Sequence, residues 1–166
     1  RNELGASEFH RLLAQDQGTP GNHGGEVPKV NLEEALSLYR AMGRATGEGL
    51  LRSSHTPTLG GLGVAFALPA IGGCLGAEID LSDLPCEGSL DDDSRLFSES
   101  NSRFVVSCAP QNSAVLERLF NGLPMARVGT VTEERRLLIR GQAGHSVADS
   151  DIEALRRAFK ETLYGI

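Results

Sequence analysis

The sequence predicts an α/β (α+β) fold with helices packed on a mixed sheet. Three observations carry this reading. Segments with apolar residues at helical spacing interleave with short strand-like runs along the chain. Hydrophobic residues make up 40% of 166 positions, enough for the core of one domain. Gly is abundant at 20 residues, so turns and close backbone approaches punctuate the chain.

The elements come in order along the chain. Ser7 to Leu13 predicts a short helix, and Ala14 to Pro28, rich in Gly, Pro, Gln and Asn, a loop. Asn31 caps the next helix, with Glu34 three residues on completing a capping-box pattern. Leu32, Ala35, Leu36, Tyr39 and Met42 give that helix an apolar face, and Gly47 and Gly49 end it. Leu50 to Ser54 is a strand. Gly61 to Leu68 is a helix that Pro69 stops or kinks. Leu75 to Leu81 is a strand, and Leu84 to Asp93 an acidic, turn-rich segment. Arg103 to Ala109 is a strand, and Asn112 to Phe120 a helix with Val115, Leu116 and Leu119 inward. Ala126 to Thr132 and Arg136 to Arg140 read as a hairpin through Glu133 and Glu134. Ser150, with Glu153, caps a last helix whose buried stripe is Ile152, Leu155, Ala158, Phe159 and Leu163. From Arg103 onward the order strand, helix, strand, strand, helix is close to a ferredoxin-like half.

Composition limits the function. A net charge of −6 argues against a broad nucleic-acid footprint or an anionic membrane partner. The longest apolar run, Leu62 to Ile71, is far short of the roughly 20 residues needed to cross a bilayer. No signal peptide is visible. Cys74, Cys86 and Cys108 form no C-x-x-C pair, so reduced cytosolic thiols are expected rather than a disulfide framework or zinc site. The chain starts at Arg1 without a Met, which reads as a piece of a longer protein or as a processed start.

Ser53 to Leu81 is the most informative stretch. A polar loop with His55 and several hydroxyls runs into Gly60-Gly61 and an apolar helix, the layout of an anion site at a helix start. Between Ser53 and Glu78 there is no carboxylate to hold a metal. His55, Thr56, Gly60 and Gly61 read as a loop lining a nucleotide pocket, or His55 as a structural His at a strand end. Glu99, Ser100, Asn101, Ser102 and Arg103 read as a phosphate loop with Arg103 as a bidentate clamp, or as an ordinary Ser/Asn turn. Asp91-Asp92-Asp93 reads as a cation site or, more often, a solvated loop. His10, His23 and His145 have no ligand spacing for a metal. The small-residue turn L-G-A-S-E-F at 4–9 has the room to approach a ligand closely.

These segments together resemble phosphoribosylformylglycinamidine synthase. L-G-A-S-E-F at 4–9 is similar to that family's L-G-G-S-E-Y, and V-P-K-V-N-L-E-E-A at 27–35 fits the family's next segment. Residues 53–81 resemble its S-x-H-D-x-S-D-G-G-L-A-V-A-L-A-E stretch leading to G-L-G-A-E-I-D-L. L-F-S-E-S-N-S-R-F-V-V-S-C-A-P at 96–110 resembles its L-F-S-E-S-x-x-R-F-V-V segment, and A-R-V-G-T-V at 126–131 fits a strand near its C-terminus. The resemblance implies a three-layer α/β/α sandwich, partly ferredoxin-like, forming one AIR-synthase-type C-terminal domain over 1–166. It also implies an ATP-dependent ligase of purine biosynthesis that converts formylglycinamide ribonucleotide with glutamine-derived ammonia.

The same resemblance implies the site. In the family's first-copy C-terminal domain an E-S-Q loop binds substrate, and Glu99, Ser100 and Asn101 stand at the matching positions. The Asp that holds Mg²⁺ there corresponds to Thr56, and a second Asp of the motif to Leu59. No catalytic or metal residue is therefore expected in this chain. ATP and Mg²⁺ belong to the parent enzyme, with none held tightly by this segment. The implied partners are an AIR-synthase N-terminal-type domain of the same chain and a glutaminase domain or subunit, in the cytoplasm. Two alternatives stand: a non-catalytic scaffold whose pocket has decayed, and a superfamily relative akin to selenophosphate synthetase or thiamine-monophosphate kinase.

Overall fold

The computed structural model describes residues 1–19 and 24–164. Among these residues six α-helices and six strands alternate: α1 (Glu8–Asp16), α2 (Leu32–Gly47), β1 (Leu51–His55), α3 (Gly61–Gly73), β2 (Gly76–Asp80), α4 (Asp92–Phe97), β3 (Val105–Cys108), α5 (Ser113–Leu119), β4 (Gly129–Thr132), β5 (Arg136–Arg140), β6 (Ser146–Asp151) and α6 (Ile152–Tyr164). The mixed α/β class is as the sequence predicts. The described chain forms two compact units, residues 1–65 with 85–125 and residues 66–84 with 126–166.

The first unit holds a two-stranded antiparallel sheet of β1 and β3, with Leu51 opposite Cys108 and His55 opposite Val105. Its core joins Ala41, Met42 and Ala45 of α2 to Leu116 and Phe120, with Leu38, Leu51, Phe104 and Val106 packed against them. The inward face of α2 is thus Ala35, Leu38, Ala41, Met42 and Ala45. This corrects the expected stripe: Ala35 and Met42 are buried, but Leu32, Leu36 and Tyr39 are exposed. The two sets differ by roughly a third of a helical turn, and the packing against α5 selects the one with small residues. Asn31 does cap α2, accepting from the Glu34 N–H at 3.3 Å. The Glu34 carboxylate bonds Arg1 at 3.2 Å rather than closing a reciprocal box.

α1 runs on to Asp16 from its Ser7 cap, past the expected end. α4 is a helix where the sequence suggested an acidic loop. Asp91 caps it, accepting from the Ser94 N–H at 2.8 Å, and Asp92 and Asp93 occupy its first turn. The acidic run is thereby explained by capping and by the positive end of the helix.

The second unit carries a four-stranded mixed sheet in the order β4-β2-β5-β6. β2 lies between β4 and β5, antiparallel to the first and parallel to the second. The expected β4–β5 hairpin is therefore wrong. The short connection after Thr132 crosses the start of β2, and Gly76 lets it pass: a Cβ there would lie 1.8 Å from the Glu134 carbonyl oxygen. β6 was not expected. Its polar sequence S-V-A-D-S-D carries little alternation, yet it pairs with β5 from Arg136↔Asp151 to Arg140↔Ser146. An Arg136–Asp149 double hydrogen bond fastens the two strands, one arm of it 2.7 Å. Ser150 sits in this ladder opposite Leu137, so Asp151 takes over the capping of α6, accepting from the Ala154 N–H at 2.9 Å. Glu153 pairs with Arg156. Ile152 is buried, but Ala158 and Phe159 are exposed, so the expected α6 stripe is only half inward; the Leu163 side chain lies outside the described residues. α3 continues four residues past Pro69, which sits inside it. Proline forfeits one backbone bond in a helix interior, and this helix tolerates it.

Candidate functional site

The candidate loops lie in the first unit and meet through backbone contacts. Gly61 opens α3 at φ +59, and a Cβ on it would come within 2.6 Å of the Leu96 oxygen and 2.7 Å of the Ser98 oxygen. Only glycine lets the start of α3 rest on the 96–98 backbone. One turn in, the Phe97 ring covers Gly63 and stacks on Phe9 at 4.6 Å between centroids.

Glu99 sits where these elements converge. Its Oε1 accepts from the Gly60 N–H at 2.8 Å and from the Glu8 N–H at 3.0 Å. Gly60 precedes α3 and Glu8 is the first residue of α1, so one carboxylate oxygen serves the starts of two helices. Both helix ends favour negative charge there. The anion site that the sequence suggests at the start of α3 is therefore taken by an anion of the chain itself.

The N-terminal segment completes the cluster. The Glu3 N–H donates to Ser98 Oγ at 3.3 Å, and the Glu99 N–H donates to the Glu3 carbonyl at 3.3 Å. Glu3 is buried, with Oε1 accepting from the Lys29 N–H at 3.1 Å. Its Oε2, and the Oγ of buried Ser100, have no hydrogen-bond partner among the described residues. Arg103 donates from Nε to the Ser100 carbonyl at 3.0 Å and from Nη2 to the Ser98 carbonyl. Burial pushes its pKa down to about 10, opposed by Glu3, Cys86 and Glu99, so it stays charged at neutral pH. Those two donors brace the loop and are not available as a bidentate clamp. Ser102 adopts φ +56 and its Oγ lies 3.0 Å from the Tyr39 hydroxyl. Asn101 is exposed.

The predicted set is thus partly gathered. Glu99, Ser100, Ser102, Arg103, Gly60 and Gly61 form one network. His55 ends β1, opposite Val105, and Thr56 is exposed on the loop after that strand. Leu59, also on that loop, is 65% exposed. A threonine hydroxyl and a leucine do not make a donor set for a hard cation. No group of three or more His, Cys, Asp or Glu residues is placed to hold a metal among the described residues. Gly5 makes its close approach to the chain's own backbone, 2.5 Å from the Gly25 oxygen to a built Cβ, rather than to a ligand. His10 bonds the Gly24 carbonyl at 3.0 Å through Nδ1, while His23 lies outside the described residues. Sequence reasoning missed the roles of Glu3, Ser98 and the Glu8 N–H, although Glu8 lies in the L-G-A-S-E-F turn and Ser98 in the L-F-S-E-S segment.

Residues 3–141 match the family model described as AIR synthase related protein, C-terminal domain. The chain belongs to that family. Among curated relatives it is 35% identical over 167 residues to the phosphoribosylformylglycinamidine synthase subunit PurL of Deinococcus radiodurans, covering 99% of this chain and 21% of the relative. It is 32% identical over 165 residues to the same subunit from Thermobifida fusca, covering 98% of this chain and 20% of the relative. The chain thus spans about a fifth of the length of these relatives. Among solved structures, Thermotoga maritima PurL complexed with FGAR superposes with a TM-score of 0.75 at 19% identity, over 93% of this chain and 26% of that one. That likeness speaks for the fold, and the resemblance read from the motifs is borne out. No described helix is long and apolar enough to cross a membrane.

Proposed function

We propose that residues 1–166 form one AIR-synthase-type C-terminal domain of a phosphoribosylformylglycinamidine synthase. The reading rests on end-to-end similarity to PurL subunits, 96% to 99% of this chain in several relatives. The parent activity is ATP-dependent conversion of formylglycinamide ribonucleotide to formylglycinamidine ribonucleotide with glutamine-derived ammonia. Its partners are an AIR-synthase N-terminal-type domain and a glutaminase domain or subunit, in the cytoplasm. Solved PurL structures carry ATP and ADP, which supports a nucleotide-using parent.

Within that enzyme this domain acts as a structural or auxiliary phosphate-binding element. Glu99, Ser100, Asn101, Ser102 and Arg103 form its braced loop, in which Arg103 is engaged by the loop's own carbonyls, and His55, Thr56, Gly60 and Gly61 lie on the segment that leads into α3. The observation that carries the structural role is the Glu99 carboxylate on the Gly60 and Glu8 N–H groups, which satisfies internally the donors an incoming phosphate needs. Thr56 and Leu59 do not fit Mg²⁺, so no step is routed through a metal here. What the chain contributes is a braced loop beside a helix start.

Calorimetric titration of the chain with ADP, with and without Mg²⁺, tests this role. No binding tighter than ~1 mM, with or without the metal, is expected. Mg²⁺-dependent binding in the micromolar range would overturn the structural role. The parent assignment is tested separately, on the full-length polypeptide that carries this segment. Release of ADP and phosphate dependent on formylglycinamide ribonucleotide is expected, and its absence with ammonia supplied would count against the assignment.

A further inference from the structure

Helix α2 carries two apolar faces, and only one is buried among the described residues. Ala35, Leu38, Met42 and Ala45 pack inward, whereas Leu32, Leu36 and Tyr39 are 77%, 49% and 50% exposed. At 3.6 residues per turn, positions 32, 36, 39 and 43 form one straight outer stripe. Gly43, at its C-terminal end, has nothing within 4 Å of a built Cβ, so the stripe is open there. Tyr39 is held by its hydroxyl contact to Ser102 and by the Phe104 ring, edge-on at 5.9 Å between centroids. A fixed aromatic on an exposed apolar stripe is the kind of residue that anchors an interface.

The charges beside the stripe select the occupant. Glu33 and Arg40 are exposed, lie on the same flank of the stripe seven positions apart, and have no ion-pair partner among the described residues. Arg44 lies one turn beyond Arg40 and meets only Glu48, at 3.7 Å. An antiparallel copy of α2, turned about a twofold axis between Leu36 and Tyr39, places Leu36 against the copy's Tyr39 and Leu32 against its Gly43. The most exposed side chain of the stripe then meets the gap left by the glycine. In antiparallel helix pairs like flanks face each other. At 1.5 Å rise per residue, Glu33 falls about 3 Å along the axis from the copy's Arg40 and about 3 Å from its Arg44, on either side. Both charge pairs form twice under the symmetry, as an isologous contact requires. A partner with acidic groups along this flank would meet Glu33, and one with basic groups would meet Arg40 and Arg44. The stripe with its mixed flank is complementary to itself.

We infer that this outer face of α2 is a self-association surface, which pairs with a second copy of the chain through antiparallel α2–α2 packing.

Sedimentation velocity of the whole chain, over a series from ~1 μM to ~1 mM, tests it. A concentration-dependent monomer–dimer equilibrium is expected. Leu36→Glu, at an exposed position that the fold tolerates, should weaken it at least ~10-fold by placing like charges across the axis. Glu33→Arg alone, and Arg40→Glu with Arg44→Glu, should each weaken it ~3-fold or more, and combining all three exchanges should recover most of the loss. A chain that stays monomeric over the whole series overturns the inference. So does a dimer indifferent to Leu36→Glu, or a charge exchange in which the triple variant is no tighter than either partial exchange.

Discussion

Glu99 is the residue through which the two candidate loops and the N-terminal segment are joined. Its Oε1 accepts at 2.8 Å from Gly60 and at 3.0 Å from Glu8, so deleting the carboxylate strands two backbone donors at helix starts. Hydrogen bonds to a charged acceptor contribute about 1.5–3 kcal/mol, and a stranded donor costs a similar amount. Glu99→Ala should therefore lower unfolding stability by about 2 kcal/mol in urea melts. Glu99→Gln keeps an oxygen where Oε1 stands and should lose about half of that. Equal losses for the two variants would show that the side chain's bulk, not its acceptor, matters. Arg103 does parallel work from below the loop, bracing the Ser98 and Ser100 carbonyls, so its charge serves the fold before it serves a ligand. That division of labour was hidden in the sequence. Glu99 and Arg103 were legible as chemically able residues, but Glu99 bonds backbone groups far along the chain and Arg103 the carbonyls of its own loop, and no side-chain pattern announces a backbone partner.

Elements were legible where their signal is local and failed where a neighbour decides. Caps are local, and Asn31 holds α2 as its sequence suggests, but the cap expected at Ser150 passes to Asp151 because Ser150 is taken into the ladder opposite Leu137. Asp91 is a cap too, but its helix has only six residues and was masked by the acidic run that starts it. Ser94's hydroxyl and backbone N–H hold the Asp91 carboxyl below the usual carboxylate range. Its folded pKa is thus below its unfolded value, so its contribution is present above the unfolded pKa and lost as pH falls through the folded one. Asp91→Ala should cost about 1 kcal/mol at neutral pH, and the gap from the parent chain should narrow once the pH is taken below the ordinary carboxylate range. A gap that persists unchanged at that pH would remove the charge from the account. The α2 stripe and the β4–β5 connection failed for a different reason. Periodicity shows that a face is apolar but not which of two apolar faces meets α5. Likewise Thr132 to Arg136 looks like a hairpin until β2 is placed between the strands. Gly76 is the hinge of that second case: with the Glu134 oxygen 1.8 Å from a built Cβ and the Arg136 oxygen 2.5 Å away, no side chain fits. Gly76→Val should cost about 3 kcal/mol or more and strip hydrogen-exchange protection from the β2–β4 and β2–β5 ladders. Retained protection in both ladders would mean that the connection does not close over β2.

At the scale of the whole molecule, what the sequence concealed is pairing across distance. β1 finds β3 only after α3, β2 and α4 have intervened, and β2 finds β4 and β5 only after β3 and α5. Of the four strand pairs among the described residues, β5 with β6 alone joins neighbours in the chain. The α/β class survives this ignorance because it depends on alternation of elements, which local periodicity reports. The topology does not, because each non-local pair is selected by packing that no window of sequence contains. The same fact sets how the chain folds. Loop closure must be accomplished before a distant strand pair returns any stabilisation, so chains dominated by such pairs fold slowly. Here three of the four described ladders are non-local, and both compact units draw on separated segments. The helices offer local contacts early, yet α2 gains its core only when Leu116 and Phe120 arrive from the far side of β3. Stopped-flow refolding from urea should therefore show the main phase between ~1 ms and ~10 s, with helical signal and burial of the core arriving together. Shortening the β1-to-β3 span at the exposed turn around Gly88 should speed that phase modestly, because closure entropy grows only with the logarithm of loop length. Refolding complete within tens of microseconds would mean that local helices, not the ladders, limit the rate.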